Sequence, residues 1–472
     1  MGWDEKGIHC AVWINHPEVD VIFQYKNDVR RFHMRDKWGD WGYGINLFLN
    51  DAVTPTSTTL NPWSSTDMKV KGGTAEKFEF RVVHNGKTLV SRWQDINAYT
   101  GNLGDGDMGK LPGEQKITIV DGFIIQYTFN DAGNYHTDDL PSAHQCYVTV
   151  APDRSAWMAV VMPPGSPTAQ KPFHRFVLPA AHNFGFNTMD TSLVTEVLQP
   201  LLGPLGFLGH LGPIAASKAL GIMEATSRNQ KDNVPDQLEM GARFFEVRAS
   251  RLEPHPRSLT GLNDFQSSLF FQDAVNFLCA QPTEIIVVWF TWNQWSEANP
   301  EPDTVLKMLQ DCFNDAKAKG VTLERGTFAD LDRPVDTLRQ ENKRFIMSFK
   351  NEGYSPYDNF ETKRHAIADG SGTITEFSEL SAEKQKGTPM TYLQCQTTMS
   401  SNTHGLAAAI TFHNRILLAQ KDKTDPLTLD WLYAHVKARL GDDHLLIIMN
   451  DFFDLATSDI ANQLTKTRLW DP

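Results

Sequence analysis

With 472 residues, 41% of them hydrophobic and 21% charged, the chain has ample core-forming material and the length of two or three domains. A net charge of -13 and a pI near 5.6 argue against nucleic acid as a partner, because phosphate-backbone binding rests on a surplus of Lys and Arg. Five cysteines, at 10, 146, 279, 312 and 395, are too few and too scattered for a disulfide framework or a pair of zinc ligands.

The opening Met1-Gly2-Trp3-Asp4-Glu5-Lys6 lacks a basic segment followed by an apolar core. The expectation is a cytoplasmic protein, or one released without a signal peptide, that meets membranes at most peripherally. Residues 1–165 carry short alternating runs at Cys10–Ile14, Val19–Tyr25, Ile45–Leu49, Lys77–Val83, Lys116–Val120, Phe123–Phe129, Tyr147–Val150 and Trp157–Val161. Turn-forming pairs such as Asn85-Gly86 and Asp121-Gly122 separate them, which predicts an all-β antiparallel sandwich. Tryptophans stand at 3, 13, 38, 41, 63, 93 and 157, and Trp38 to Gly44 reads as an aromatic loop. Two readings follow: rings that enter a lipid interface or stack on a sugar, making this a membrane- or glycan-binding domain, or rings that fill the sandwich core.

Four prolines between Met162 and Pro172, with no apolar period, predict a linker, placed at 166–174. From 175 to 472 the rhythm becomes strand, helix, strand. Strands are expected at Arg175–Pro179, Arg243–Arg248, Glu284–Thr291, Arg344–Phe349, Tyr392–Thr397 and His444–Asn450, with helices at Asp264–Cys279, Asp303–Lys319 and Pro426–Leu440. That alternation predicts an α/β unit, either a parallel barrel or a doubly wound sheet. Neither a GxGxxG nor a GxxxxGK[ST] loop follows any of these strands, which weakens a nucleotide-binding reading.

Five stretches stand in one order. They are Leu178-Pro179-Ala180-Ala181-His182-Asn183, Ser227-Arg228-Asn229-Gln230, Gln237 to Arg248, Phe277 to Val288, and Leu445-Leu446-Ile447-Ile448-Met449-Asn450-Asp451-Phe452. In order and interval they resemble the X-domain family of phosphatidylinositol-specific phospholipase C, of the bacterial and fungal phosphodiesterase type. The resemblance implies a distorted (β/α) TIM-type barrel over 175–472 and a phosphoric diester hydrolase. Its substrate would be a phosphoinositide or related phospholipid head group, cleaved by attack of the inositol 2-hydroxyl to give diacylglycerol and a cyclic inositol phosphate. The alternative is a lipid- or glycan-binding protein that keeps the barrel with little or no turnover.

The chemistry needs a base with a pKa near neutrality, and a neutral imidazole of pKa about 6.5 suits it. His182 is that candidate, and the resemblance places Asp451 behind it as the supporting carboxylate. Arg248 matches the guanidinium that faces the phosphate oxygens in the metal-independent branch. Asn183 and Glu246 match calcium-ligand positions of the other branch, but two oxygen donors are too few for a Ca2+ site, so no cofactor is expected, with Ca2+ as the alternative. Lys350 falls where the family contacts inositol. The family's general acid would lie near Arg257 to Thr260, where no histidine stands. His255 is the nearest replacement.

Leu198 to Met223 is almost wholly apolar yet interrupted by Pro200, Gly203, Pro204, Gly206, Gly209, Gly212 and Pro213. Such punctuation suits a loop that docks on a membrane surface, or a lid packed on the barrel, better than a spanning helix. Deleting Gly203 to Gly212 is expected to reduce cleavage of vesicle-borne substrate more than cleavage of a soluble one. Equal losses on both would sink the docking reading.

Overall fold

The computed structural model describes residues 7–35, 44–49, 64–69, 76–97, 102–109, 114–130, 144–182, 184, 229–252, 256–258, 267–292, 302–349, 352, 357–358, 390–396, 421, 425, 428–429, 431–432 and 443–470. The first part of the chain supplies strands β1 (Gly7–Ile14), β2 (Val19–Tyr25), β3 (Asp28–Arg35), β4 (Gly44–Leu49), β5 (Ser64–Lys69), β6 (Glu76–His84), β7 (Lys87–Ile96), β8 (Leu103–Gly106), β9 (Thr118–Val120), β10 (Phe123–Asn130) and β11 (His144–Pro152). They form one sheet ordered β5-β1-β11-β10-β9 and a second ordered β4-β3-β2-β6-β7-β8. Along β6, Phe78, Phe80 and Val82 are buried while Lys77, Glu79 and Arg81 are not, the period-two pattern of a strand with one covered face. Phe78 meets Phe129 at 6.2 Å and Phe80 meets Tyr127 at 5.1 Å between ring centroids, so the two sheets share one core.

Three expectations need correction here. The sheets are not wholly antiparallel, since β1 and β11 pair in parallel with Cys10 opposite Cys146. Trp157–Val161 is a helix rather than a strand. The Glu284 carboxylate accepts from the N–H groups of Met158 and Ala159 at 3.4 and 3.2 Å, and Arg339 donates to Met162 O at 2.7 Å. An anion at the first turn and a cation at the last favour the helix over the local strand preference. The proline-rich stretch is not a free spacer either. Ala169 and Phe173 are fully buried, Gly165 N–H donates to Asp336 at 2.7 Å, and Phe173 and His174 donate to Arg333 O and Leu331 O, each at 2.9 Å.

The second part contributes β12 (Val177–Ala181), β13 (Phe244–Leu252), β14 (Pro256–Ser258), β15 (Ile286–Trp292), β16 (Arg325–Gly326), β17 (Phe345–Phe349), β18 (Tyr357–Asp358), β19 (Met390–Gln394) and β20 (Leu445–Asn450). Eight of them lie in the order β16-β17-β15-β13-β12-β20-β19-β18, and β14 folds back on β13 as a hairpin. The ladders along that path are parallel. β12, β17, β19 and β20 are buried at every position, as parallel strands covered on both faces must be.

The sheet curls strongly. Trp289 on β15 and Tyr392 on β19 are four strand steps apart along the path, about 19 Å in a flat sheet, yet their rings stand 5.9 Å apart. Leu178, Phe244, Val287, Ile346, Tyr392 and Ile447 therefore fill a single interior. Their outward neighbours Phe245, Val288 and Met347 pack with the helices Ser267–Ala280 and Pro302–Ala318. The expected barrel thus takes the form of this curled parallel wall. No ladder joins β16 to β18 among the described residues.

On the remaining flank, Leu446 and Ile448 share a core with the first two sheets, and the last helix, Leu455–Trp470, lies in that core through Ala456, Ile460, Ala461 and Leu464. Near its start, Asp459 accepts from Trp13 Nε1 at 2.7 Å and from Arg154 Nε at 2.9 Å.

Arg243 is a fully buried charge. Its Nε donates to Glu284 at 2.9 Å, and its other nitrogens donate to Leu238 O, Ala242 O and Ser155 O at 2.8, 2.8 and 2.7 Å. Burial pulls the guanidinium below the usual arginine range and Glu284 opposes that pull. Glu284→Ala would leave this charge unpaired and uncap the Trp157–Val161 helix. A loss of about 3–5 kcal/mol in urea unfolding is expected, with Glu284→Gln less damaging; an unchanged midpoint in the alanine variant would refute this role.

Candidate active site

The carboxyl ends of β12 and β20 carry the first two candidate residues. Ala181 stands opposite Asn450 in the parallel ladder, and His182 N–H donates to Asn450 O at 2.9 Å, extending the ladder by one residue. His182 and Asp451 therefore arrive side by side, with Nδ1 of the ring 2.7 Å from Oδ1 of the carboxylate. The side chains are 15% and 8% exposed. The pair is sheltered but open on one side.

Asn229 Nδ2 donates to the same Asp451 oxygen at 3.2 Å. Gln230 donates to His182 O at 2.7 Å and Asn450 O at 3.2 Å, and accepts from Phe453 N–H at 2.9 Å. Phe452, at φ 45, turns the chain after Asp451 through the left-handed region, and its N–H donates to Asn229 O at 2.6 Å. A non-glycine residue is held there only by surrounding bonds. The next two residues, Lys231 and Asp232, reach the first part of the chain: Lys231 Nζ donates to Gln115 O at 2.6 Å, and Asp232 accepts from Gln126 at 2.6 Å. Asn229 and Gln230 belong to a stretch noted for its resemblance, but nothing in their sequence signals these supporting roles.

A buried ionic group lies behind the pair. Asn450 donates to Asp425 at 3.1 Å, and Lys421 Nζ lies 2.5 Å from Asp425, 3.1 Å from Asp454 and 3.4 Å from Asp451 O. Burial works against the ammonium, but the two carboxylates hold Lys421 well above the usual lysine range. The group has no sequence signature, because Lys421 and Asp425 meet Asn450 and Asp454, some 25 to 33 residues on, only through folding.

On the neighbouring strand, Ala180 stands opposite Phe244, which sets Glu246 level with His182. Glu246 is buried and faces Trp289 in the next ladder. Arg248 follows two positions on, in register with Thr291; its side chain lies outside the described residues, as do Asn183, His255 and Lys350 and the apolar stretch 198–223. The stretch expected as a loop after Arg248 is partly a hairpin, with Ala249 opposite Ser258 and Leu252 opposite Pro256. Among the described residues no cluster of three His, Cys, Asp or Glu side chains includes Glu246, and Asn183 lies outside them.

A histidine–carboxylate pair at the carboxyl ends of parallel strands, with a buried acid level with it, is an arrangement that can move a proton. No protein-family model matches the chain, and no curated protein does. Among solved structures it is similar to the phosphatidylinositol-specific phospholipase C of Listeria monocytogenes, with a TM-score of 0.42 and 12% identity, over 66% of this chain and 98% of that one. It is likewise similar to the Staphylococcus aureus phosphatidylinositol-specific phospholipase C, with a TM-score of 0.39 and 12% identity, over 66% and 97%.

Gln230 joins three backbone groups around the pair from a fully buried position. Gln230→Ala is expected to destabilise the protein by about 2–3 kcal/mol in denaturant unfolding, the cost of unsatisfied buried groups. A change below about 0.5 kcal/mol would show that water takes its place.

Proposed function

We propose that this protein is a phosphodiesterase of the phosphatidylinositol phospholipase C type, acting through His182. The observation that carries the reading is the 2.7 Å contact between His182 Nδ1 and Asp451. With Nδ1–H donated to the carboxylate, Nε2 presents its lone pair to a substrate, the tautomer a general base needs. The inositol 2-hydroxyl gives its proton to Nε2 as its oxygen attacks phosphorus. Asp451 then stabilises the imidazolium, and the bond to the diacylglycerol oxygen breaks, leaving a cyclic inositol phosphate.

The guanidinium of Arg248 is assigned to the non-bridging oxygens, which makes the reaction metal-independent; its strand position beside Glu246 supports this. Lys350 is assigned to the inositol ring and His255 to the leaving group. The head group would be met at a membrane surface, with the 198–223 stretch and the aromatics of the first 165 residues as contacts. No helix among the described residues is long and apolar enough to cross a membrane.

A second reading, lipid binding with little turnover, is favoured by the absence of a histidine from Arg257 to Thr260, where the family's general acid would lie. The two separate in one assay, release of water-soluble inositol phosphate from labelled phosphatidylinositol vesicles. Wild-type protein is expected to release it with or without EDTA, and His182→Ala to lower the rate by at least about 10²–10⁴-fold. Vesicle binding without release would select the second reading, and undiminished release by His182→Ala would remove the first.

A further inference from the structure

Far from His182 in the chain, two tight turns in the first pair of sheets bring together side chains of a different chemistry. His16 and Glu18 lie in the connection from β1 to β2, and His84 ends β6 just before the Asn85-Gly86 turn. One ligand atom from each of His16, Glu18 and His84 lies within 4.8 Å of the other two. His84 Nε2 stands 3.4 Å from Glu18 Oε2, and Asn85 Nδ2 stands 3.2 Å from each of those atoms. Phe123 packs against both imidazoles at 5.0 and 4.9 Å between centroids, and the imidazoles meet each other edge-on at 5.5 Å.

The backbone holds this cluster. Val19 pairs with His84 in the β2–β6 ladder, Val19 N–H donates to His16 O at 3.2 Å, and Asn85 N–H donates to Glu18 O at 3.3 Å. Positive φ values of 50 at Asn85 and 79 at Gly86 fix the hairpin in the conformation that matches strand twist. A ligand therefore finds the donors already placed and loses little ordering entropy on binding.

The geometry points to a zinc-class metal site at His16, Glu18 and His84. Two imidazoles and one carboxylate are the donor set of open zinc sites, with a fourth position left for water. Ligand atoms about 2.1 Å from a tetrahedral ion stand about 3.4 Å apart, the separation of His84 Nε2 and Glu18 Oε2. A flip of the Asn85 amide, which exchanges its nitrogen and oxygen, would offer Oδ1 as the fourth ligand. Imidazole nitrogen disfavours calcium and magnesium, which take oxygen, and suits zinc, nickel and copper. His84 belongs to one sheet and Phe123 to the other, while His16 and Glu18 lie in the crossover between them. The bound ion would clasp the two sheets at this end.

The test is titration of the metal-stripped full chain with Zn2+ by calorimetry and with Co2+ by visible absorption. One equivalent, a tetrahedral cobalt spectrum with nitrogen and oxygen ligands, and a rise in the thermal midpoint with zinc are expected. His16→Gln and His84→Gln should each weaken binding by more than the roughly 10–100-fold that a supporting residue costs. Glu18 is exposed, so Glu18→Ala supplies a variant in which folding is not at issue, and it should weaken binding at least about tenfold. No stoichiometric uptake by the wild type, or unchanged zinc affinity in Glu18→Ala, would overturn the proposal and leave a plain hydrogen-bonded turn cluster.

Discussion

Strands β12 and β20 pair in parallel from Val177 opposite Leu446 to Ala181 opposite Asn450, and this ladder sets the candidate site. His182 and Asp451 are 269 residues apart in the chain, so closing that loop costs on the order of 5 kcal/mol in chain entropy. A slip of one residue would turn one of the two side chains to the opposite face, because side chains alternate along a strand. Both ends of the ladder are pinned. At the start, Thr465 bonds both backbone groups of Val177, and Arg468 donates to Phe176 O and His444 O. At the finish, Gln230 bonds His182 O and Asn450 O.

The residues that hold the site also join the two parts of the chain. Asn229 and Gln230 face the histidine–carboxylate pair, while Lys231 bonds Gln115, just before β9, and Asp232 bonds Gln126 of β10. The last helix repeats the arrangement on a larger scale, pinning β12 on one side and receiving Trp13 and Arg154 at Asp459 on the other. The first sheets are therefore part of the frame around the histidine–carboxylate pair. A change in the β1–β11 sheet is coupled to the pair through a few short, buried bonds rather than through a flexible tether.

Much of this architecture was legible in the sequence. The alternation in β6, the Asn85-Gly86 and Asp121-Gly122 turns and the buried runs of β12, β15, β17 and β20 all read correctly, because each has a local period or a local steric requirement. Strand β3, Asp28–Arg35, was missed since its sequence offers only Phe32 and Met34 to the core among charged residues. The last helix was missed because it is covered on several sides. Thr457, Ser458, Asp459 and Thr465 are buried and hydrogen-bonded, which leaves only the short half-exposed strip of Gln463, Lys466 and Thr467 to mark a 3.6-residue period. The segment Trp157–Val161 misled for another reason: charges from Glu284 and Arg339, both remote in sequence, decide its conformation.

What the sequence determined by itself was the class of fold and the residue types that meet at its mouth, a histidine and an aspartate each ending an apolar strand. Those follow from periodicity and from the order of recognisable stretches. Only the tertiary structure decided that the two touch through Nδ1, that Asn229 and Gln230 steady them, and that His16, Glu18 and His84 converge elsewhere. Such convergence depends on strand register and on turns that bring remote residues within about 3 Å, and no local pattern of side chains encodes a distance of that kind.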